Sequence, residues 1–301
     1  MSNLFDFEET EKYGIRKGIV FYFGDCIDSN ILLVLESIIN QFLLMTHMEF
    51  TKKRGGNEYV NIRNLRGGWR KVFRREFKCE DFNKYGTRVL TLDSCTPQQL
   101  QTIRAVIRMS NDSPARCRIA GNPIKVNHIY FQLPLETDWS AIFRFIEYVN
   151  GKLDLHYASA GYEMAYNVYH YPGSSGYATR ALKNLKYINS DGTEWGDLLV
   201  VTDFGIPCPN FIQVLCPDLA QKINDKTASK IYRKWENNRL FLDILDRTAG
   251  RLYEPAFEEI EARYKELYQM LIPIIVSPPR SMFMREHDWN KRLKRFEETS
   301  L

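Results

Sequence analysis

Lys125-Val126-Asn127-His128-Ile129-Tyr130-Phe131-Gln132-Leu133-Pro134-Leu135 places Asn127, Ile129, Phe131 and Leu133 on one side of an alternating run. That is the period-two pattern of a β-strand. Thr137 or Asp138 follows as a helix cap, and Ala141, Ile142, Phe145, Ile146 and Val149 fall on one inward stripe. Leu155 to Val168 then reads as a second strand. The same order opens the chain: Ile15 to Phe23 is β-branched and aromatic, and Asp28 or Ser29 caps an apolar helix running to about Met45. The echo points to two similar α+β halves, residues 1–125 and 126–301. No Ser/Gly- or Pro-rich linker divides them, so they are expected to form one continuous globular unit.

Around this frame the other patterns are mixed. Thr96-Pro97-Gln98-Gln99 has the form of a helix start, with Thr96 as N-cap and Gln99 closing a capping box, and Leu100, Ile103 and Ile107 make a stripe behind it. Further helices are expected over 176–187, 210–223 and from Pro255 to about Ile272. In the last, Phe257, Ile260, Tyr264, Leu267 and Leu271 keep helical spacing until Pro273. Strands are expected over 231–236 and 240–246. Strands and helices do not alternate regularly, so the expected class is α+β, with mixed or antiparallel sheets and packed helices.

Composition narrows the function classes. The chain has 301 residues, 44% hydrophobic and 26% charged, which excludes bulk disorder. The acidic start, Met1 to Glu11, lacks the basic and apolar regions of a secretory signal. Ile31 to Met45 is interrupted by Glu36, Asn40 and Gln41 and falls short of the about 20 residues a membrane span needs. Cys26, Cys79, Cys95, Cys117, Cys208 and Cys216 include no C-x-x-C pair, as suits a reducing compartment. The expected location is the cytoplasm, with no membrane partner.

Catalytic signatures are missing. None of His47, His128, His156, His170 and His287 stands three or four residues from another, and neither a P-loop nor a G-x-G-x-x-G occurs. Gly173-Ser174-Ser175-Gly176 matches no nucleophile elbow. No enzyme, cofactor or metal is expected, and no catalytic residue is assigned. The most pronounced local feature is basic: Arg63, Arg66, Arg70, Lys71, Arg74, Arg75 and Lys78 face the single acid Glu76, with Trp69, Phe73 and Phe77 interleaved. One reading of 63–78 is a nucleic-acid stripe, cations on phosphates and aromatics on bases. A plainer one buries the aromatics and leaves the cations in solvent, where they also suit an acidic partner. Residues 1–125 carry 20 basic and 14 acidic groups, the remainder 21 and 23, so the net +4 is a basic front on a mildly acidic back.

Acidic candidates are Asp6, Glu8, Glu9 and Glu11, then Glu258, Glu259 and Glu261, and the stretch Asp191-Gly192-Thr193-Glu194-Trp195-Gly196-Asp197. Several segments occur in an order that resembles a bacterial family. They are Ile129-Tyr130-Phe131-Gln132-Leu133-Pro134-Leu135, Ser159-Ala160-Gly161-Tyr162-Glu163, His170-Tyr171-Pro172-Gly173, Asn210-Phe211, Leu215-Cys216-Pro217-Asp218-Leu219, Tyr264 to Leu271, Trp289 and Arg295-Phe296-Glu297. The family is that of the type VI secretion immunity proteins of the TsiV kind. Phe211 stands where Trp is usual and Cys216 where Gly is usual. The resemblance implies a non-enzymatic antitoxin that binds a cognate toxin effector, similar to a VRR-Nuc DNase, and blocks its DNA-binding or active site, without contacting nucleic acid itself. Such a cleft is basic, so the expected toxin-interface residues are Asp191, Glu194, Trp195, Asp197 and Asp203. The alternative is a nucleic-acid-binding module that uses 63–78.

Overall fold

Tyr13–Phe23 forms β1, in which every residue after Tyr13 is buried. A strand covered on both faces needs apolar or small residues at successive positions, and Ile19-Val20-Phe21-Tyr22-Phe23 supplies them. It pairs antiparallel with β6 (Asn127–Leu133) on one side and β7 (Leu155–Tyr166) on the other. The computed structural model describes residues 10–24, 28–55, 58–78, 87–96, 98–100, 102–110, 127–167, 169, 188–190, 205–206, 208–224, 230–275 and 294.

The other strands of this sheet are β2 (Lys52–Gly55), β3 (Glu58–Asn61), β4 (Thr87–Asp93), β5 (Arg104–Ser110), β8 (Ile188–Ser190), β9 (Ile212–Leu215), β10 (Tyr232–Glu236) and β11 (Arg239–Asp243). Their order is β10-β11-β9-β7-β1-β6-β5-β4-β2-β3. All pairs are antiparallel except β7 with β8. A separate hairpin joins β12 (Asp246–Thr248) to β13 (Arg251–Tyr253). The helices are α1 (Ser29–Thr46), α2 (Gly68–Glu76), α3 (Trp139–Asn150), the single turn α4 (Pro217–Ala220) and α5 (Phe257–Leu271), which runs into a 3-10 turn at Ile272–Ile274. This is an α+β fold built on one large, nearly all-antiparallel sheet.

The opening strand of each half is followed by a helix on the same sheet face. Phe42 of α1 stacks on Phe131 of β6 at 4.5 Å, and Phe145 of α3 meets Phe21 and Phe131 edge-on at 5.9 and 5.4 Å. Asp28 and Asp138 are the caps, accepting from the backbone N–H of Ile31 at 2.7 Å and of Ala141 at 3.2 Å. The opposite face is buried too, but polar. Tyr22 lies in register with His128 and Tyr157, and Gln132, Ser159, Glu163 and Gln213 are buried on the same side. Gly161 is required there, because a Cβ would stand 1.4 Å from the Asn210 side-chain oxygen.

Two expected helices are replaced by strands. The segment after Thr96 becomes β5, because Ile103 and Ile107, four apart, satisfy a period of two as readily as a helical turn. Ala105, Ile107 and Met109 line its buried face, and Thr96 and Gln99 exchange backbone hydrogen bonds in a tight turn. Within 210–223, Phe211 to Leu215 is buried without interruption and pairs as β9, leaving α4 the only helical turn. The expected helix at 176–187, the turn at His170-Tyr171-Pro172-Gly173 and the boundary at 125 lie outside the described residues.

Candidate functional site

An apolar helix beside a cationic one forms an open groove on the surface. In α1, Ile31, Leu35, Ile38, Ile39 and Phe42 enter the core, whereas Leu33 and Leu44 are 62% and 59% exposed. By length and composition alone α1 is long and apolar enough to cross a membrane, with mean hydropathy 1.4 over 18 residues, and 28% of that window is buried. Its apolar surface therefore exceeds what the sheet covers. His47 ends it in the left-handed conformation, and the chain returns through the β2–β3 hairpin to Gly67 and Gly68. Gly67, at φ 92°, turns the backbone into α2, a conformation side-chain-bearing residues disfavour.

α2 splits into two faces. Val72, Phe73 and Phe77 are buried, Trp69 is half-buried, and the rings of Phe73 and Phe77 stand 5.1 Å apart. The outer face carries the cations. Arg74 grips Glu36 of α1 through two bonds of 2.9 Å, and Arg70 reaches the same carboxylate at 3.3 Å while its guanidinium lies 5.0 Å from the Trp69 ring centre. The Glu36 hydrogen bond and charge hold the Arg74 pKa above its ordinary value. Both Arg74 and Arg75 sit in the last turn, where the helix dipole favours them.

Between the helices lies a groove of about 1020 Å³. Its apolar lining includes Leu43, Leu44, Met48, Ile62 and Trp69. Its charged lining is Arg63, Arg70, Lys71, Arg74, Arg75 and Lys78 against the single carboxylate Glu49. Arg63, Lys71, Arg75 and Lys78 form no ion pair among the described residues. Fixed positive charge stands there beside exposed hydrocarbon.

Other charged groups are inside. Lys17 donates to the Thr137 carbonyl at 2.7 Å, lies 3.9 Å from Glu254 and sits 4.5 Å from the Trp139 ring centre. Burial pushes its pKa down to about 8 against the opposing pull of Glu254. Trp139 Nε1 and the Tyr162 hydroxyl both donate to Glu254. Asp93 pairs with Arg104 at 2.9 Å in full burial and accepts from the Cys95 N–H at 2.6 Å. Burial raises the Cys95 thiol pKa well above its ordinary value. Among the described residues no three His, Cys, Asp or Glu side chains cluster as metal ligands.

The expected interface residues Asp191, Glu194, Trp195, Asp197 and Asp203 lie outside the described residues, as do Asp6, Glu8 and Glu9. Glu259 is tied to Lys230 at 3.1 Å and to Arg263 at 3.4 Å, which accounts for its place on α5. The basic run is legible in the sequence. Its apolar floor is not, although an α1 apolar on nearly every side is the signal that points to it.

The described residues thus form a nearly all-antiparallel sheet covered by helices, with an open basic groove beside α1 and α2. No family model matches the sequence, and no curated protein matches it. In structure the chain is similar to the Pseudomonas aeruginosa T6SS protein PA0821, with a TM-score of 0.68 and 11% identity over 97% of this chain and 85% of that one. At that identity the likeness establishes a shared fold.

Proposed function

We propose that this chain is an immunity protein of a type VI secretion system, which binds and inhibits a cognate toxin effector in the cytoplasm. The observation that carries the reading is the likeness in fold, over nearly the whole chain, to a protein described as belonging to such a system. The ordered sequence segments that resemble the TsiV immunity proteins point the same way. The effector implied is a VRR-Nuc-like DNase, and inhibition proceeds by covering its DNA-binding or active site rather than by chemistry. The test is coexpression with the effector encoded beside this reading frame. A stable complex, restored growth and intact DNA are expected, and absence of all three overturns the reading. Within that complex, Glu194→Lys with Asp197→Lys is expected to weaken binding; unchanged calorimetric affinity removes that stretch from the interface.

The basic groove favours a second reading, direct nucleic-acid binding through 63–78. It requires retardation of labelled DNA at low salt that disappears when Arg70, Arg74 and Arg75 become alanine.

A further inference from the structure

We infer that the groove between α1 and α2 is a docking site for an acidic, amphipathic segment of a protein partner, its carboxylates on the α2 cations and its apolar side chains on the α1 flank. The inference deepens the immunity reading by naming a surface and the chemistry that fits it.

Charge complementarity selects the occupant's polar side. Six cations line the groove against Glu49 alone. Arg70 and Arg74 are already held by Glu36, so they form a fixed wall, whereas Arg63, Lys71, Arg75 and Lys78 remain available. Opposite charge across an interface speeds encounter and sets register.

The apolar side follows from α1. Leu44 is 59% exposed at the groove, with Leu43, Met48, Ile62 and Trp69 beside it. Covering such surface favours association, against the costs of ordering both partners. A phosphate backbone has nothing to place on that hydrocarbon. Base stacking needs successive exposed rings, yet Phe73 and Phe77 are 1% and 0% exposed, and of the two rings that line the groove Phe50 is 5% exposed, which leaves Trp69. A helix with carboxylates on one face and leucines on the other satisfies both sides of the groove at once.

The test uses the full chain and a fluorescent amphipathic Glu/Leu helix of about 18 residues, long enough to follow a surface groove. Controls are the same composition scrambled, a Lys/Leu counterpart, duplex DNA of roughly 20 base pairs, and anionic phosphatidylserine vesicles. Saturable binding of the Glu/Leu helix is expected, tighter than to any control. Charge reversal at Arg63, Lys71 and Arg75 to Glu, all exposed and without an ion pair among the described residues, should weaken it about tenfold or more and flatten its dependence on salt. Leu44→Asp should weaken it with the cations intact, and an unchanged thermal melt verifies that each variant folds.

Binding of the Glu/Leu helix that neither change reduces overturns the inference, as does tighter binding to DNA or vesicles, or no binding at all. The two claims separate cleanly. If wild type protects against the neighbouring effector and the triple variant protects equally well, the groove is wrong and the immunity reading stands. If wild type does not protect but binds the acidic helix through the groove, the immunity reading is wrong and the docking site stands.

Discussion

His128 and Lys17 occupy opposite faces of the sheet, and both carry pH dependence of one sign through different windows. His128 is 2% exposed beside Tyr22, and among the described residues neither ring nitrogen has a hydrogen-bond partner. Burial, with a smaller effect from Arg108, lowers its pKa from 6.5 to about 3. Between those values the unfolded chain holds a proton that the folded chain does not, so stability falls as pH drops from 6.5 toward 3. Near pH 4 this linkage amounts to about 3 kcal/mol. His128→Leu is therefore expected to be close to neutral at pH 7.5 and progressively more stable than wild type on acidification. Parallel denaturation profiles for the two proteins would contradict it. Lys17 is lowered from 10.5 to about 8 by burial. Raising pH through that window releases its proton from the folded state first, which stabilises wild type relative to Lys17→Met by about 3 kcal/mol in all. Urea titrations at pH 7.5, 9 and 10.5 measure the difference, and a constant gap would show that Lys17 keeps its ordinary pKa. Neither residue is legible from sequence. His128 and Lys17 lie in ordinary alternating runs, and only the closing of both sheet faces removes their water.

Capping and face assignment decide the helices. Asp28→Ala removes the acceptor for the Ile31 N–H and is expected to cost about 1 kcal/mol of stability. Phe73→Ala, at a fully packed position of α2, is expected to cost about 3–5 kcal/mol. Chemical denaturation measures both, and Phe73→Ala should also lower affinity at the groove by loosening the helix that presents its cations. A loss below about 1 kcal/mol for Phe73 would mean that α2 is not held by its aromatic stripe. Where one periodic signal stood alone, the sequence was sufficient: β1, α1, β6, α3, β7 and α5 lie where their patterns put them. Where two signals competed it was not. The Thr96-Pro97-Gln98-Gln99 box is a helix start only if the residues behind it keep a helical stripe, and Arg104, Val106 and Arg108 alternate with Ala105, Ile107 and Met109 instead. Phe211 to Leu215 was unreadable for a different reason. A continuous buried run fits a helix or a central strand equally, and the stacking of Phe211 on Trp139 at 5.1 Å is a contact with a distant element. The groove followed the same rule: its cations are adjacent in sequence, while its floor comes from α1, Phe50 and Ile62.

At the scale of the molecule, β1 belongs by sequence to the first half and by pairing to the second. Lys17 to Phe23 pairs with β6, and Tyr13 to Phe23 pairs with β7, both from residues beyond 126. From β1 the chain passes to the β2–β3 edge and comes inward through β4 and β5 to β6; from β7 it proceeds outward through β9 to β11 and β10. Neither half can close its own sheet. Residues 126–301 alone would expose two facing strand edges where β1 had been, together with the hydrocarbon that Ile19, Phe21 and Phe23 cover at 0% exposure. Unpaired edges of that kind recruit other chains. Expressed alone, 126–301 is expected to aggregate or to lack a cooperative melt, and 1–125 likewise. Coexpressed, the two are expected to copurify one-to-one, because the β1 pairing is made of backbone hydrogen bonds and buried side chains that need no covalent link between halves. A cooperative thermal transition with dispersed amide resonances from 126–301 alone would show instead that β6 and β7 pair without β1, and that the first half is an accessory to an independent domain. The same reasoning limits how the groove can be dissected. α1 rests on Phe131 of β6 and Phe145 of α3 through Phe42, so an isolated 29–78 peptide would carry the cations and Glu36 without the sheet that holds α1 in place. It should bind the acidic helix with a weaker, wholly salt-sensitive affinity, whereas the intact chain should retain a salt-resistant apolar part.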